Sequence, residues 1–134
     1  MSTSSKFVVI EHRAKKAGLH YDLRFKKPTG NKWASFAIRK GIPVKVGEKV
    51  LAIRTNDHSE KDATFTGTLK SGYGAGTFKR HDGGSCIIEK FTENHMAINF
   101  KGSKMKGLYH LVSTVVVGGG KRKEKSFFLF KGRG

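Results

Sequence analysis

Residues 20–25 alternate between side chains that could bind a metal ion or a phosphate and side chains that suit a hydrophobic core. The polar positions are His20, Asp22 and Arg24, and the residues between them are aromatic or apolar. In an extended strand, alternate side chains point to opposite faces, so these three would lie in a row on one face. Imidazole and carboxylate groups bind divalent metals, and the planar guanidinium of arginine suits a phosphate held by such an ion.

His12 precedes this segment across a short basic connection, residues 13–18, and could fold back as a third ligand. His12, His20 and Asp22 would then form a metal site, and Mn²⁺, Zn²⁺ and Fe²⁺ all suit two imidazoles and a carboxylate. A polar strand face in contact with solvent would explain the same alternation without a metal ion. The residue pattern by itself leaves both interpretations open.

The composition favours a small basic protein that binds a polyanion. The chain has 134 residues, with 27 Lys and Arg against 10 Asp and Glu, and a formal net charge of +17. Nucleic acid is the first partner to expect at that charge. Ten Phe, three Tyr and one Trp supply a core, which excludes a disordered basic tail. We expect a single domain over residues 1–134, with residues 1–5 and 132–134 loose.

The cellular setting is limited by what the sequence lacks. The one cysteine, Cys86, excludes an internal disulfide and fits a reducing compartment. No apolar run approaches the ~20 residues of a membrane span, and the N-terminus has no signal-peptide core. We therefore expect a soluble intracellular protein, in the cytoplasm, nucleus or nucleoid, with no membrane partner, and we expect it to be monomeric.

Frequent turn signals divide the chain into short strands, with no helix longer than a turn or two. This pattern predicts an all-β fold with minor α content, a single antiparallel β-barrel of about eight to ten short strands with one or two short helical turns. Residues 82–84, an Asp followed by two glycines, predict the turn of a hairpin. Helical turns are expected at residues 60–62 and within residues 13–18. The predicted strands cover residues 6–12, 19–26, 32–39, 48–55, 63–69, 77–81, 85–91, 95–101, 107–117 and 125–131.

Two loops and three further histidines complete the pattern. Residues 70–76 hold three glycines and predict a loop whose backbone passes close to the site. Residues 118–123 predict a flexible basic tip. His81, His95 and His110 have no partner at ligand spacing, so we interpret them as structural.

The run from Glu11-His12 through a short basic loop to residues 19–24 resembles the opening motif of the 3′-phosphoesterase domain of bacterial DNA ligase D and its stand-alone relatives. The resemblance covers most of the chain. Its other matching segments are residues 7–10, Trp33-Ala34, Lys40-Gly41, residues 51–53, Asp57-His58, residues 65–67, residues 72–76, residues 105–107 and Leu111-Val112.

The resemblance implies a β-barrel that trims 3′ ends at DNA breaks. A domain of this family acts as an Mn²⁺-dependent phosphodiesterase and phosphomonoesterase. It removes 3′-terminal ribonucleosides and then the 3′-phosphate, and it leaves a 3′-hydroxyl. The expected partners are DNA or RNA–DNA 3′ ends. Because this chain carries no ligase or polymerase domain, a role in end joining would require separate ligase and polymerase proteins.

The resemblance also assigns roles to particular residues. It makes the metal site one for Mn²⁺, and it makes Arg24 and His58 catalytic. It places Lys40 on the substrate phosphate together with Arg24 and His58. Without the resemblance, an ordinary loop histidine and an ordinary turn lysine would explain His58 and Lys40.

Three positions depart from the family pattern, and the loop before His20 is about two residues longer than usual. Val50 stands where the family often has an arginine, Asn56 where it has a glutamate, and Asp62 where it has a tyrosine. Two functional hypotheses follow. The chain is a metal-dependent 3′-phosphoesterase, or it is a weak or inactive relative that acts as a basic nucleic-acid-binding module.

Overall fold

The described part of the chain forms one antiparallel sheet of nine strands. The structure is a computed structural model that describes residues 2–72, 74–114 and 125–133. The elements are β1 (Thr3–Ala14), β2 (Gly18–Lys26), β3 (Trp33–Ile38), β4 (Lys49–His58), α1 (Glu60–Ala63), β5 (Gly67–Leu69), β6 (Gly76–Phe91), β7 (His95–Lys101), β8 (Lys106–Ser113) and β9 (Lys125–Lys131).

Eight of the strands close into a barrel. Their order is β1-β2-β3-β4-β9-β8-β7-β6, and antiparallel pairing of β6 with β1 completes the ring. The short strand β5 lies outside the ring and pairs with β6. Closure leaves no unpaired strand edge in the ring, which is why a sheet of short strands is stable in this form. The predicted all-β antiparallel barrel is confirmed.

The barrel wall has an apolar inner face and a mixed outer face. On β2, Leu23 and Phe25 are fully buried in the main core, and Arg24 between them faces outward. A second, smaller core lies on the outside of the wall and holds Val8, Ile10, Trp33 and Ala63, with Phe78 packed against it. α1 contributes Ala63 to this outer core. Part of the outer wall is therefore covered by protein rather than by water.

The predicted hairpin at residues 77–91 is wrong. β6 is one continuous strand of 16 residues, and the change of register against β1 falls between Val9 and Ile10. A Cβ atom on Gly83 would lie 2.5 Å from Arg80 Nη2 and 3.0 Å from the Phe7 carbonyl oxygen. Gly83 therefore allows Arg80 and the Phe7 carbonyl to approach the backbone of a bent strand, and it does not form a turn. Glycines and bulges have this role in other barrels.

Other local predictions differ from the structure at strand ends. Residues 3–5, expected to be loose, belong to β1, and Ser5 Oγ donates a hydrogen bond of 2.7 Å to the Lys26 carbonyl. The helical turn expected within residues 13–18 is absent there, because β1 continues to Ala14 and a tight turn leads into β2. The strand expected at residues 63–69 shrinks to Gly67–Leu69.

The helical turn expected at residues 60–62 is confirmed as α1. The Ser59 side chain caps it by accepting a hydrogen bond of 3.3 Å from the Asp62 backbone N–H. Across the described residues, no helix is long and apolar enough to cross a membrane. Residues 115–117 of a predicted strand and the predicted basic tip at residues 118–123 lie outside the described residues.

Asp82 fastens the β7–β8 connection to β6. Its buried carboxylate accepts four hydrogen bonds of 2.7–2.9 Å, from the backbone N–H groups of Gly83, Ser103, Lys104 and Met105. Burial by itself would raise the pKa of this carboxyl, but these four hydrogen bonds favour the charged form and hold the pKa below its ordinary value.

We expect Asp82→Asn to lower the free energy of unfolding by ~2–3 kcal/mol, because an amide NH₂ cannot accept the hydrogen bonds that one carboxylate oxygen accepts. Urea denaturation at pH 7 measures the difference, and Glu89→Gln, an exposed carboxylate on the same strand, is the control. The parent protein's advantage should disappear as the pH falls through the lowered pKa of Asp82. An advantage that persisted in strong acid would contradict this account.

Candidate metal centre

The β1–β2 hairpin places His12 directly opposite His20. The register pairs His12 with His20 and Ile10 with Asp22. Side chains of directly opposed residues on one face of an antiparallel pair lie in contact range. His12 therefore lies at the site because it is the cross-strand neighbour of His20, and the connection between the strands does not have to fold back to place it there.

The candidate ligand atoms converge on one point. His12 Nδ1 lies 3.1 Å from His20 Nε2, and the Asp22 carboxylate lies 3.2 Å from His20 Nε2 and 3.5 Å from His12 Nδ1. Two ligands at right angles and ~2.2 Å from an ion are ~3.1 Å apart, so these spacings fit one divalent ion. His12 and Asp22 are 6% and 4% exposed, so a solvated polar face does not describe this surface.

A carbonyl group from the glycine-rich loop fixes the tautomer of His12. His12 Nε2 donates a hydrogen bond of 2.9 Å to the Gly74 carbonyl oxygen, which leaves a lone pair on Nδ1 toward the cluster. The ring also stacks on Phe78, with centroids 3.9 Å apart. Sequence patterns missed Phe78 and this carbonyl, because neither has a spacing that marks a site.

The glycines bring this loop close to β1. Gly74 has a φ of 85°, and Gly76 has a φ of 147°. A Cβ atom on Gly76 would overlap the Arg13 carbonyl oxygen, so the close approach of the loop to β1 requires glycine. In the residues that the structure describes, the loop backbone passes close to the site, as predicted.

Burial lowers the pKa of His12 below its ordinary value. The hydrogen bond to the Gly74 carbonyl and the charge of Asp22 oppose this effect without reversing it. His12 is therefore neutral at pH 7, which is the state in which imidazole ligates a metal.

Arg24 is the next polar residue along β2, and most of its donors are engaged by the protein. Nε donates to Ser35 Oγ at 3.1 Å, and Nη2 donates to Asp22 Oδ2 at 3.3 Å. Nη1 donates to the carbonyl oxygens of Ala63 and Asp62 at 3.1 and 3.4 Å. These bonds orient Asp22 and join β2 to the end of α1. They leave one of the five N–H groups of the guanidinium for another acceptor.

His58 ends β4 opposite Trp33, on the same side of the barrel as the cluster. Burial lowers its pKa below the ordinary value, and the positive charge of Arg24 lowers it further. The nearby carboxylates of Asp62, Asp22 and Asp57 oppose this shift. His58 thus lies within electrostatic range of both Arg24 and Asp22.

The remaining predicted phosphate contact is Lys40. Lys40 is exposed in the turn after β3, and the structure gives its side chain no hydrogen bond or ion pair with any described residue. The structure also locates two of the residues that depart from the family pattern. Val50 points into the main core, and Asp62 is exposed on α1, where it offers its backbone carbonyl to Arg24.

The prediction that His95 and His110 lack a partner at ligand spacing is wrong. His95 Nε2 and His110 Nδ1 lie 3.0 Å apart on neighbouring strands. His81 packs its ring against the edge of Tyr21, with centroids 5.0 Å apart, as expected of a structural histidine. Sequence spacing missed the pair because the contact crosses from β7 to β8.

These features define a class of domain: a closed antiparallel barrel with a largely buried cluster of two histidines and a carboxylate on its outer wall. The DNA ligase D 3′-phosphoesterase domain family matches residues 10–113 of the chain. The chain belongs to this family, which confirms the resemblance seen in the sequence.

Curated relatives show the same similarity. The multifunctional non-homologous end joining protein LigD of Mycolicibacterium smegmatis is 34% identical over 123 residues, which covers 83% of this chain and 16% of that protein. The LigD protein of Mycobacterium tuberculosis H37Rv is 35% identical over 113 residues, covering 81% and 14%. That of Pseudomonas aeruginosa is 31% identical over 134 residues, covering 96% and 15%. The chain thus spans 14–16% of the length of these relatives.

We expect His20→Ala and Asp22→Asn each to weaken Mn²⁺ binding at least tenfold at pH 7, because each removes a converging ligand atom. Isothermal titration calorimetry measures the affinity, and His81→Gln is the matched control. Binding should weaken as the pH falls below about 6.5, since protons compete with the ion for the imidazoles. Parent-like affinity in His20→Ala would show that the cluster is not the binding site.

Proposed function

We propose that this domain is a metal-dependent 3′-phosphoesterase that removes 3′-terminal ribonucleosides and 3′-phosphates from nucleic-acid ends and leaves a 3′-hydroxyl. The convergence of His12, His20 and Asp22 in a largely buried cluster carries this proposal. Membership of the DNA ligase D 3′-phosphoesterase family supports it, and so does the presence of Arg24 and His58 beside the cluster.

His12, His20 and Asp22 would hold the ion, and we propose Mn²⁺. Two nitrogens and a carboxylate leave coordination positions for phosphate oxygens. When bound, such an ion neutralises phosphate charge and stabilises charge that develops in phosphoryl transfer. Gly74 and Phe78 keep His12 in the tautomer and orientation that binding needs.

Arg24 would act on the phosphate through one N–H group and its positive charge. Its other donors hold Ser35, Asp22 and the end of α1, so a bidentate grip would require breaking one of these bonds. The same bonds fix the guanidinium in place before substrate arrives, and preorganised donors are the ones that stabilise a transition state.

His58 would be the general acid. Its lowered pKa makes the free imidazole neutral at pH 7, and the negative charge of a bound phosphate would raise that pKa and favour the proton-carrying form. His58 then donates the proton to the leaving oxygen. Lys40, on its exposed turn, would contact the phosphate from farther along the same side.

The nucleic acid would lie along a basic cleft next to His58. Lys26, Asn31, Lys32, Ser59 and Glu60 line this cleft. A chain with a net charge of +17 attracts a phosphate backbone regardless of base sequence. The relatives named for non-homologous end joining point to DNA repair inside the cell as the setting. Separate ligase and polymerase proteins would complete the repair, and a monomer would suffice for this step.

Incubation with a 3′-phosphate primer–template tests the activity. We expect release of phosphate with Mn²⁺ and none with EDTA. His58→Gln should lower turnover by about 10²–10⁴-fold, the range for loss of a general acid. Arg24→Lys should lower it by about 10²-fold or more, since lysine cannot bridge Asp22, Ser35 and α1. Arg133→Lys and His81→Gln are the matched controls.

Two outcomes of this assay would contradict the proposal. Turnover that survives EDTA would remove the metal from the mechanism. A parent protein that binds Mn²⁺ but processes no 3′ end with any divalent ion would be the inactive, nucleic-acid-binding relative.

We also expect nucleic-acid binding to be governed by phosphate contacts. Log affinity should fall linearly with log salt concentration, with little difference between base sequences, because each neutralised phosphate releases counterions. Lys32→Gln, in the cleft, should reduce the slope by about one. Lys90→Gln, on β6, is the control. Fluorescence anisotropy with two unrelated oligonucleotides measures this, and an affinity independent of salt would refute it.

A further inference from the structure

A second pair of histidines lies in contact on the outer wall of the barrel. His110 on β8 pairs with Ala97 on β7, and His95 stands two residues before Ala97 on the same outer face. His95 Nε2 and His110 Nδ1 are 3.0 Å apart. β6 separates β7 from β1, so this pair belongs to a different part of the wall from the metal centre.

The geometry of this pair repeats the histidine geometry of the metal centre. There, too, one Nδ1 faces one Nε2, at 3.1 Å. Both separations match the distance between two adjacent nitrogen ligands of one ion when the metal–nitrogen bonds are ~2.0–2.2 Å. The two pairs differ in what accompanies them, because His12, His20 and Asp22 are the only group of three converging ligands found in the described residues.

The rings of this pair are supported by their surroundings. The His110 ring stacks on Phe130, with centroids 5.3 Å apart and planes 23° apart. Gly132 packs against its other nitrogen, since a Cβ atom there would lie 2.9 Å from His110 Nε2. Both histidines are half-buried, so the side facing the solvent has room for water ligands.

The electrostatics favour a neutral His95. Burial lowers the pKa of His95 below its ordinary value, and the positive charge of Lys90 and the neighbouring His110 lower it further. A neutral imidazole offers the lone pair that a metal requires. Lys90 would also repel a cation, which makes this the weaker of the two sites.

We propose that His95 and His110 form a second metal site, specific for borderline transition metals such as Zn²⁺, Cu²⁺ and Ni²⁺. Two imidazoles without a carboxylate suit these ions, whereas Mn²⁺ prefers oxygen ligands. Water completes the coordination. The site does not depend on the phosphoesterase activity, and its two ligands join β7 to β8 on the outside of the barrel.

Titration with Zn²⁺ at pH 7.5, followed by calorimetry, tests the proposal on the whole chain. We expect two equivalents for the parent protein and for the His81→Gln control, and one equivalent for His95→Gln and for His110→Gln. His20→Ala should lose the other equivalent and keep this one. Mn²⁺ should bind with one equivalent to the parent, and that binding should be unchanged in His95→Gln.

Glutamine at either position keeps a hydrogen-bonding group but removes the imidazole ligand. A loss of binding would therefore reflect the missing ligand and not a loss of the fold. The imidazole ¹⁵N resonances of the parent protein supply a measurement without any variant. Zn²⁺ should shift the His95 Nε2 and His110 Nδ1 signals. Unshifted signals, or two equivalents retained in both glutamine variants, would show that the pair is only a hydrogen bond.

Discussion

Strand β1 is paired along both of its edges, and the rest of the structure depends on that double pairing. On one edge it pairs with β2, which places His12 opposite His20. On the other edge it pairs with β6, which closes the barrel and holds the glycine-rich loop beside His12. Because side chains alternate between faces, a slip of one residue in the first pairing would turn the ligands to opposite sides of the wall. The fold and the candidate site therefore share one constraint.

The candidate site is stable because its charges are buried together and hydrogen-bonded to one another. A buried carboxylate or guanidinium is costly unless it is paired. Asp22 and Arg24 pair with each other, and Arg24 also donates to Ser35 and to the end of α1. The outer core around Trp33 keeps water from this side of the wall. A water-poor surrounding strengthens each electrostatic interaction, so the arrangement that the fold stabilises is also the one suited to phosphate chemistry.

The sequence was informative wherever the signal was local. Alternation along residues 20–25 predicted which side chains face the core and which share the outer face. The first prediction is confirmed by the place of Leu23 and Phe25 in the main core, and the second by the contacts of Asp22 with His20 and Arg24. The polar residues 56–59 likewise predicted a capped helical turn, because a cap involves residues that are neighbours in the chain. The Asp-Gly-Gly segment at residues 82–84 gave a wrong prediction of a hairpin turn, because such residues can either form a turn or relieve crowding in a bent strand. Local sequence does not distinguish these two uses of glycine.

By itself, then, the sequence determined the strand content, the barrel class, and the row formed by His20, Asp22 and Arg24. Only the tertiary structure decided what these residues touch. It made His12 a direct neighbour of His20, engaged Arg24 with the end of α1, and brought His95 to His110. The physical reason is that alternation is a property of one strand, whereas distances between strands depend on register and on closure of the ring.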